Sequence, residues 1–174
     1  MEETVKKYVM FGALFAVAAV AASGALVSAD DSGDNANHLK ARLSGFQENP
    51  SVSTTGAGSL DLRIDDEAQT IDYELSYEAL EGGAASASHI HLAAKGVNGG
   101  VSAFLCGGGT KPACPATEGT VTGTIVASDV IGPVGQGISA GEFGELVRAM
   151  RAGYTYVNVH TPRWPGGEIR GQIK

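Results

Sequence analysis

The sequence predicts an all-β fold, an antiparallel β-sandwich or barrel of about eight strands with one short amphipathic helix. Several short segments alternate apolar and polar residues with a period of two, as half-buried strands do. Glycine-rich turns separate these segments, and the chain of 174 residues contains 25 glycines. A single segment has the apolar spacing of a helix. Regular short strands joined by glycine-rich turns are typical of sandwiches and barrels.

The alternation is clearest in the first three predicted strands. In residues 39–43, 60–64 and 71–75, apolar residues take every second position and charged residues take the positions between them. Each pattern predicts a strand with one face in the core and one in water. The acidic run Asp65–Glu67 is typical of a solvated hairpin turn. Five further strands are predicted at residues 85–92, 101–105, 119–126, 154–160 and 168–173.

The predicted helix follows the sixth strand. Ser139–Glu142 has the form of a capping box, and Gly153 supplies a stop. Between them, the apolar residues fall on one helical face, namely Phe143, Leu146, Val147 and Met150. We expect about three turns that cover one end of the β core. A stripe of this kind favours core packing over a binding groove.

The N-terminal segment has the features of a signal peptide. Lys6 and Lys7 form a positive region, residues 8–22 are uncharged and apolar, and Val27–Ala29 offers small residues to a signal peptidase. We expect cleavage after residue 29. The alternative is an uncleaved membrane anchor, because the uncharged stretch continues to Val27. In both cases the folded part is exported, to a secreted, periplasmic or cell-surface location.

The remainder divides into an acidic linker and one domain. Residues 30–37 are acidic and polar with nothing to bury, which predicts a solvated linker before a domain at 38–174. The chain has a formal net charge of -7, and its 12 lysine and arginine residues are scattered. Because a phosphate-binding surface needs clustered basic residues, nucleic acid is excluded as a partner. Contact with a membrane is expected only through an uncleaved anchor.

The two cysteines predict a disulfide. Cys106 and Cys114 flank a flexible, glycine-rich loop, and an oxidising compartment would keep them joined. Closure of so short a ring stabilises the fold by about 2.5 kcal/mol. The alternative is a metal site with two thiolates, but a zinc site needs further Cys or His ligands nearby.

The histidines are the candidate metal ligands. His89 and His91 lie two apart in a predicted strand, so both imidazoles leave its same face. His160 lies on the polar face of the strand at 154–160, together with Asn158. If the two strands are neighbours, the three imidazoles form a set that suits Zn²⁺ or Cu²⁺. The alternative is structural: the histidines hydrogen-bond to loops, and His160 caps the turn that it enters.

The last strand carries a second polar set. Glu168, Arg170 and Gln172 alternate with smaller or apolar residues and share one face. A structural use, bridging to neighbouring strands, is favoured for Glu168 and Arg170 over catalysis. Glu48 is interpreted as an isolated carboxylate at a strand end, and His38, beside the linker, is given no role. No known catalytic constellation is found in the sequence.

Several blocks, in order along the chain, resemble the CHRD (chordin-type) domain of exported bacterial and archaeal proteins. They are Leu43–Pro50, Ala87–Ala94, Phe104–Cys106 with Ala113–Pro115, Gly123–Ile125 leading to Ala127–Val130, and Tyr156–Thr161 through Gly166–Gln172. The three histidines, Glu168 and Arg170 stand where the motif of the family has them. One departure is Asn49, at a position where family members often have proline.

The resemblance implies an immunoglobulin-like or superoxide-dismutase-like fold. It implies much less about the function. The His-x-His strand is similar to the copper-binding strand of copper/zinc superoxide dismutases. With only 4 histidines, however, the chain cannot supply the full dinuclear ligand set of those enzymes. The favoured interpretation is a non-enzymatic binding or structural module for an unknown extracellular protein or envelope component, with one copper or zinc ion at the histidines. The alternative is a mononuclear copper or zinc enzyme.

Overall fold

A computed structural model of the chain describes residues 36–174. The predicted signal peptide and all but the end of the predicted linker lie outside these residues. The eight strands are β1 (His38–Ser44), β2 (Ala57–Asp65), β3 (Thr70–Glu78), β4 (Ala87–Leu92), β5 (Val101–Cys106), β6 (Gly119–Ile125), β7 (Thr155–His160) and β8 (Ile169–Gln172). The helix α1 spans Phe143–Arg151. The all-β prediction is therefore confirmed, with a strand at each of the predicted positions.

The strands form one antiparallel sheet that curls into a nearly closed barrel. Their order is β5-β4-β7-β8-β1-β2-β3-β6, so β5 and β6 are the edges. Near these edges, the hydroxyl of Tyr73 on β3 donates to the carbonyl of Leu105 on β5 over 2.7 Å. The predicted disulfide between Cys106 and Cys114 is present in the β5–β6 connection. Among residues 36–174, no helix has the length and apolar character needed to cross a membrane.

The inner face of the sheet forms the apolar core. The alternation predicted for the first strands places Leu60, Leu62 and Leu75 there, each almost fully buried. Ile90 and Val157 make the same contribution from β4 and β7. Because alternate side chains leave opposite faces of a strand, the polar residues between these positions lie on the outer face.

The helix packs its predicted apolar stripe against this core but begins later than the capping box suggests. Phe143, Leu146, Val147 and Met150 are all buried. The helix has 9 residues, which is about two and a half turns. Ser139–Glu142 forms a turn before it, in which the Ser139 N–H donates to the Glu142 carboxylate over 2.6 Å. The carboxylate half of the capping box is thus made, but it stabilises the turn and not the first helical residue.

The outer face differs between two groups of strands, which we name the open half (β1, β2, β3 and β6) and the covered half (β4, β7 and β8). In the open half, exposed or half-buried outer residues alternate with buried inner ones. In β7 all residues are buried, and in β8 all but Gln172. Loops lie over these strands and bind one another: Asn49 donates to the Gly96 carbonyl, and Asn98 donates to the Asn49 carbonyl, each over 2.9 Å.

Candidate metal centre

Three imidazoles meet on the outer face of the covered half. His89, His91 and His160 each offer one ring nitrogen, and these three atoms all lie within 4.8 Å of one another. The His89 Nδ1 and the His160 Nε2 are 3.0 Å apart. The cluster is the one group of three or more potential metal ligands found among residues 36–174.

Strand pairing brings these residues together. β4 and β7 are antiparallel neighbours, with His89 opposite Asn158, His91 opposite Tyr156 and Ala87 opposite His160. Side chains of directly opposed and diagonal residues on one face reach one another across a strand pair. His160 therefore meets His89 diagonally, while Ile90 between the two β4 histidines points into the core.

Two of the imidazoles are oriented by backbone carbonyls. The Nδ1 of His91 lies 3.0 Å from the Gly99 carbonyl oxygen, and the Nδ1 of His160 lies 2.9 Å from the Pro165 carbonyl oxygen. Because a carbonyl oxygen only accepts, each Nδ1 must carry its hydrogen, and a neutral ring then has its lone pair on Nε2. Metal-binding histidines are typically held in this way, by donation from the other ring nitrogen to a carbonyl.

All three rings are held neutral at neutral pH. Burial, and then the neighbouring His160 and His91, lower the pKa of His89 from 6.5 to about 3. Burial is also the main reason that the pKa of His91 falls to about 4. The pKa of His160 is lowered by burial as well, against the opposing effect of its bond to Pro165. Neutral imidazole is the form that binds a metal ion.

Aromatic rings enclose the cluster on two sides. Phe104 packs edge-on against His89, with ring centroids 4.4 Å apart. Tyr156 stacks flat on His91, with centroids 4.6 Å apart and an interplanar angle of 5°. His91 and His160 are buried, while His89 is half-buried. The Nε2 of His91 is buried and has no hydrogen-bond partner among the described residues.

The match to a known family covers this centre and nearly all of the described chain. Residues 39–173 match the family model of the CHRD domain. The chain belongs to the CHRD domain family. The resemblance of the sequence motifs to the CHRD domain is thus confirmed. No curated protein and no solved structure matches the sequence.

Beside the histidines, this CHRD domain uses Glu168 to hold its loops. The Glu168 carboxylate is fully buried and accepts hydrogen bonds from four donors. The donors are the Thr54 and Thr161 hydroxyls and the backbone N–H groups of Glu81 and Gly82. These contacts connect loops, because all four donors lie outside the strands.

Arg170 has a similar task on the other side of the cluster. Its guanidinium donates to the Val97 carbonyl over 2.7 Å and to the Asn98 side-chain oxygen over 3.0 Å. It also lies 3.3 Å from the centroid of the Tyr156 ring, a cation–π contact. The loop before β5, Arg170, Tyr156 and His91 are therefore packed into one continuous stack.

Glu48 is the residue whose place in this site the sequence did not predict. Its side chain is only 7% exposed, and its Oε1 has no hydrogen-bond partner among the described residues. Burial raises its pKa from 4.5 to about 7, although Arg170 and Asn158 act in the opposite direction. Glu48 follows a short 3₁₀ turn, Gly45–Gln47, where no periodic pattern marks a residue as buried. Its position within a block of the family motif was the only signal.

Proposed function

We propose that the protein is an exported CHRD-domain module that binds one copper or zinc ion through His89, His91 and His160. In this proposal the metal-loaded domain serves as a binding or structural element towards an extracellular protein or an envelope component. Export rests on the N-terminal sequence, which has the charge and apolar pattern of a signal peptide. A binding or structural module is the role that membership of the CHRD domain family suggests.

The observation that carries the metal proposal is the geometry of three neutral imidazole nitrogens within 4.8 Å of one another. Uncharged nitrogen ligands suit Cu²⁺ and Zn²⁺, whereas Ca²⁺ and Mg²⁺ prefer oxygen. Carbonyl bonds to His91 and His160 leave the lone pair of each ring on Nε2, and the His160 Nε2 lies 3.0 Å from the His89 Nδ1. A site held in place before the metal arrives avoids the ordering of side chains on binding.

A mononuclear metal enzyme is the second candidate, and the partial exposure of His89 favours it. Catalytic zinc sites typically have three protein ligands and an open position for water or substrate. The half-buried His89 leaves that side of the cluster accessible. An enzyme would in addition need turnover that disappears together with the metal.

Calorimetric titration of the purified, chelator-treated protein with Cu²⁺ and Zn²⁺ tests the proposal. We expect one ion per chain with submicromolar affinity, and loss of this binding when all three histidines are changed to alanine. The matched control is His38→Ala, because His38 lies outside the cluster and its Nε2 is paired with the Asp61 carboxylate over 2.5 Å. This control variant should bind the metal like the wild type.

Absence of binding by the folded wild-type protein would refute the metal site and leave a binding or structural module. Equal binding by the wild type and the triple variant would place the ion elsewhere. If the ion binds as expected, redox and hydrolytic assays of the loaded protein then separate the module from the enzyme.

A further inference from the structure

Glu48 forms part of a row of side chains that crosses the outer face of the sheet. In neighbouring strands, Phe104 is opposite His89, His89 is opposite Asn158, and Asn158 is opposite Arg170. Glu48 approaches this row from the loop after β1. A Cβ added at Gly167 would lie 2.1 Å from the Glu48 Oε1 and 2.7 Å from the Asn158 Nδ2, so both atoms pack against that glycine. Glu48 therefore lies beside Asn158, which is the neighbour of His89 in this row.

Three buried polar atoms along this path have no hydrogen-bond partner among the described residues. They are the His91 Nε2, the Asn158 Oδ1 and the Glu48 Oε1. Buried polar atoms are nearly always bonded, and isolated exceptions indicate a missing water, ion or functional contact. Three exceptions around one side chain mark a polar pocket that can accept a further polar group, such as a water or an ion.

A divalent cation at the histidines would itself need a negative counter-charge. The three ligands are neutral, and a buried charge without a partner is strongly disfavoured. The Glu168 carboxylate is already committed to four donors. Glu48 is the other buried carboxyl group of the described residues, and it takes part in none of their ion pairs.

We propose that Glu48 supplies, across Asn158, the negative charge that balances a divalent cation held by the histidine cluster. This inference rests on the proposed function, and it assigns Glu48 as a positioning and charge-balancing residue rather than as a metal ligand. Asn158 is suited to connect the two sites, because it is opposite His89 in the strand pairing and its Nδ2 packs against the same glycine as the Glu48 Oε1.

The proposal predicts that metal binding releases a proton from Glu48. In the metal-free protein burial raises the pKa of Glu48 to about 7, so at that pH about half of the molecules carry the proton. The positive charge of the ion favours the carboxylate and lowers this pKa. The charged or titratable groups around Glu48 are Arg170 on β8, Tyr156 on β7 and Lys95 in the covering loop. Glu48, Lys95 and Arg170 line one cavity of about 360 Å³. At pH 6–7 Arg170 and Tyr156 keep their protons, and the imidazoles of His89 and His91 are already neutral.

The test is calorimetric titration of wild-type protein and Glu48→Gln with Zn²⁺, at pH 6, 7 and 8, in buffers of different ionisation enthalpy. For the wild type we expect release of about half a proton per ion at pH 7 and close to one at pH 6. For the variant we expect almost no proton release and a zinc affinity at least about 10-fold weaker at pH 7. Loss of residues that support metal ligands from outside typically has an effect of this size. The matched control is Glu74→Gln, which removes an exposed carboxylate from the open half.

Zinc binding by Glu48→Gln with wild-type affinity and wild-type proton release would overturn this inference and leave the metal site intact. A wild-type protein that binds zinc at pH 6 without releasing a proton would overturn it too, and that result does not depend on how the variant folds. A wild-type protein that binds no metal would overturn the proposed function itself.

Discussion

The open and covered halves of the sheet obey the same alternation but bury very different outer faces. In the open half, the outer residues are solvated, as in the exposed pair formed by Lys40 and Asp61, 3.0 Å apart. In the covered half, the outer face holds the histidines, Asn158 and Arg170 beneath loops. The comparison shows how loops turn a polar strand face into a candidate binding site: they bury it, and its polar groups then need partners other than water.

Burial also changes the energetic weight of each polar contact. An exposed ion pair contributes little, because water competes for both charges. A carboxylate that is buried and bonded to several donors cannot be removed without leaving those donors unsatisfied. We therefore expect equivalent substitutions to have large effects in the covered half and small effects in the open half.

The largest effect is expected for Glu168→Gln. The amide cannot accept from all four donors of the buried carboxylate, so the free energy of unfolding should fall by about 3–5 kcal/mol. Urea denaturation of the variant measures this loss. The matched control, Glu74→Gln on the open face, should stay within about 0.5 kcal/mol of the wild type. Equal effects of the two variants would contradict the distinction between the halves.

The next effect concerns pH. The pKa values of about 3 and about 4 for His89 and His91 lie below the ordinary 6.5, so the unfolded chain takes up protons first and stability falls below pH 6.5. Glu48 acts oppositely: its pKa, raised from 4.5 to about 7, stabilises the fold at low pH, and this contribution is lost as the pH rises through 7.

Changing His89, His91 and His160 to glutamine should therefore reverse the trend between pH 7 and 5 in the metal-free protein. The wild type should lose stability on acidification, because the two histidines outweigh Glu48. The free energy of unfolding of the triple variant should rise by up to about 2 kcal/mol from pH 7 to pH 5, because the stabilising protonation of Glu48 is retained. Urea midpoints at pH 5, 6 and 7 measure both slopes, and parallel slopes would show that the imidazoles are not held neutral.

A smaller effect is expected for Gly167→Ala. Gly167 has a φ of 130°, which an L residue rarely adopts, and its added Cβ would meet the Glu48 Oε1 at 2.1 Å. We expect a loss of about 1–3 kcal/mol in the free energy of unfolding. Gly166→Ala is the adjacent control, since a Cβ there has nothing within 4 Å. A tolerated alanine at 167 would mean that Glu48 is free to move away from Asn158.

The smallest effect is expected for Lys40→Gln in the open half. The Lys40 side chain is 63% exposed, so removal of its ion pair with Asp61 should change the free energy of unfolding by less than about 0.5 kcal/mol. The difference should shrink further in high salt, because the charges are then screened. A loss above 1 kcal/mol would show that outer-face contacts of the open half also stabilise the fold appreciably.

The sequence by itself determined the local features of the molecule. Alternating segments bounded by turn residues located the first three strands, similar short segments located the other five, and helical periodicity located the apolar face of α1. The two cysteines indicated their disulfide. The spacing of His89 and His91 required both rings to leave one face of β4. These features depend on dihedral geometry and on residues close together in the chain, so a single sequence is sufficient to predict them.

Only the tertiary structure decided how these pieces form a site. β4 pairs with β7, more than 60 residues later, and this pairing brings His160 to His89. The loops that bury Glu48 and hold Arg170 carry no periodic pattern, so no residue pattern marked Glu48 as part of the site. The physical reason is that strand order and loop burial depend on contacts between distant segments, and local residue patterns do not encode which distant segments meet.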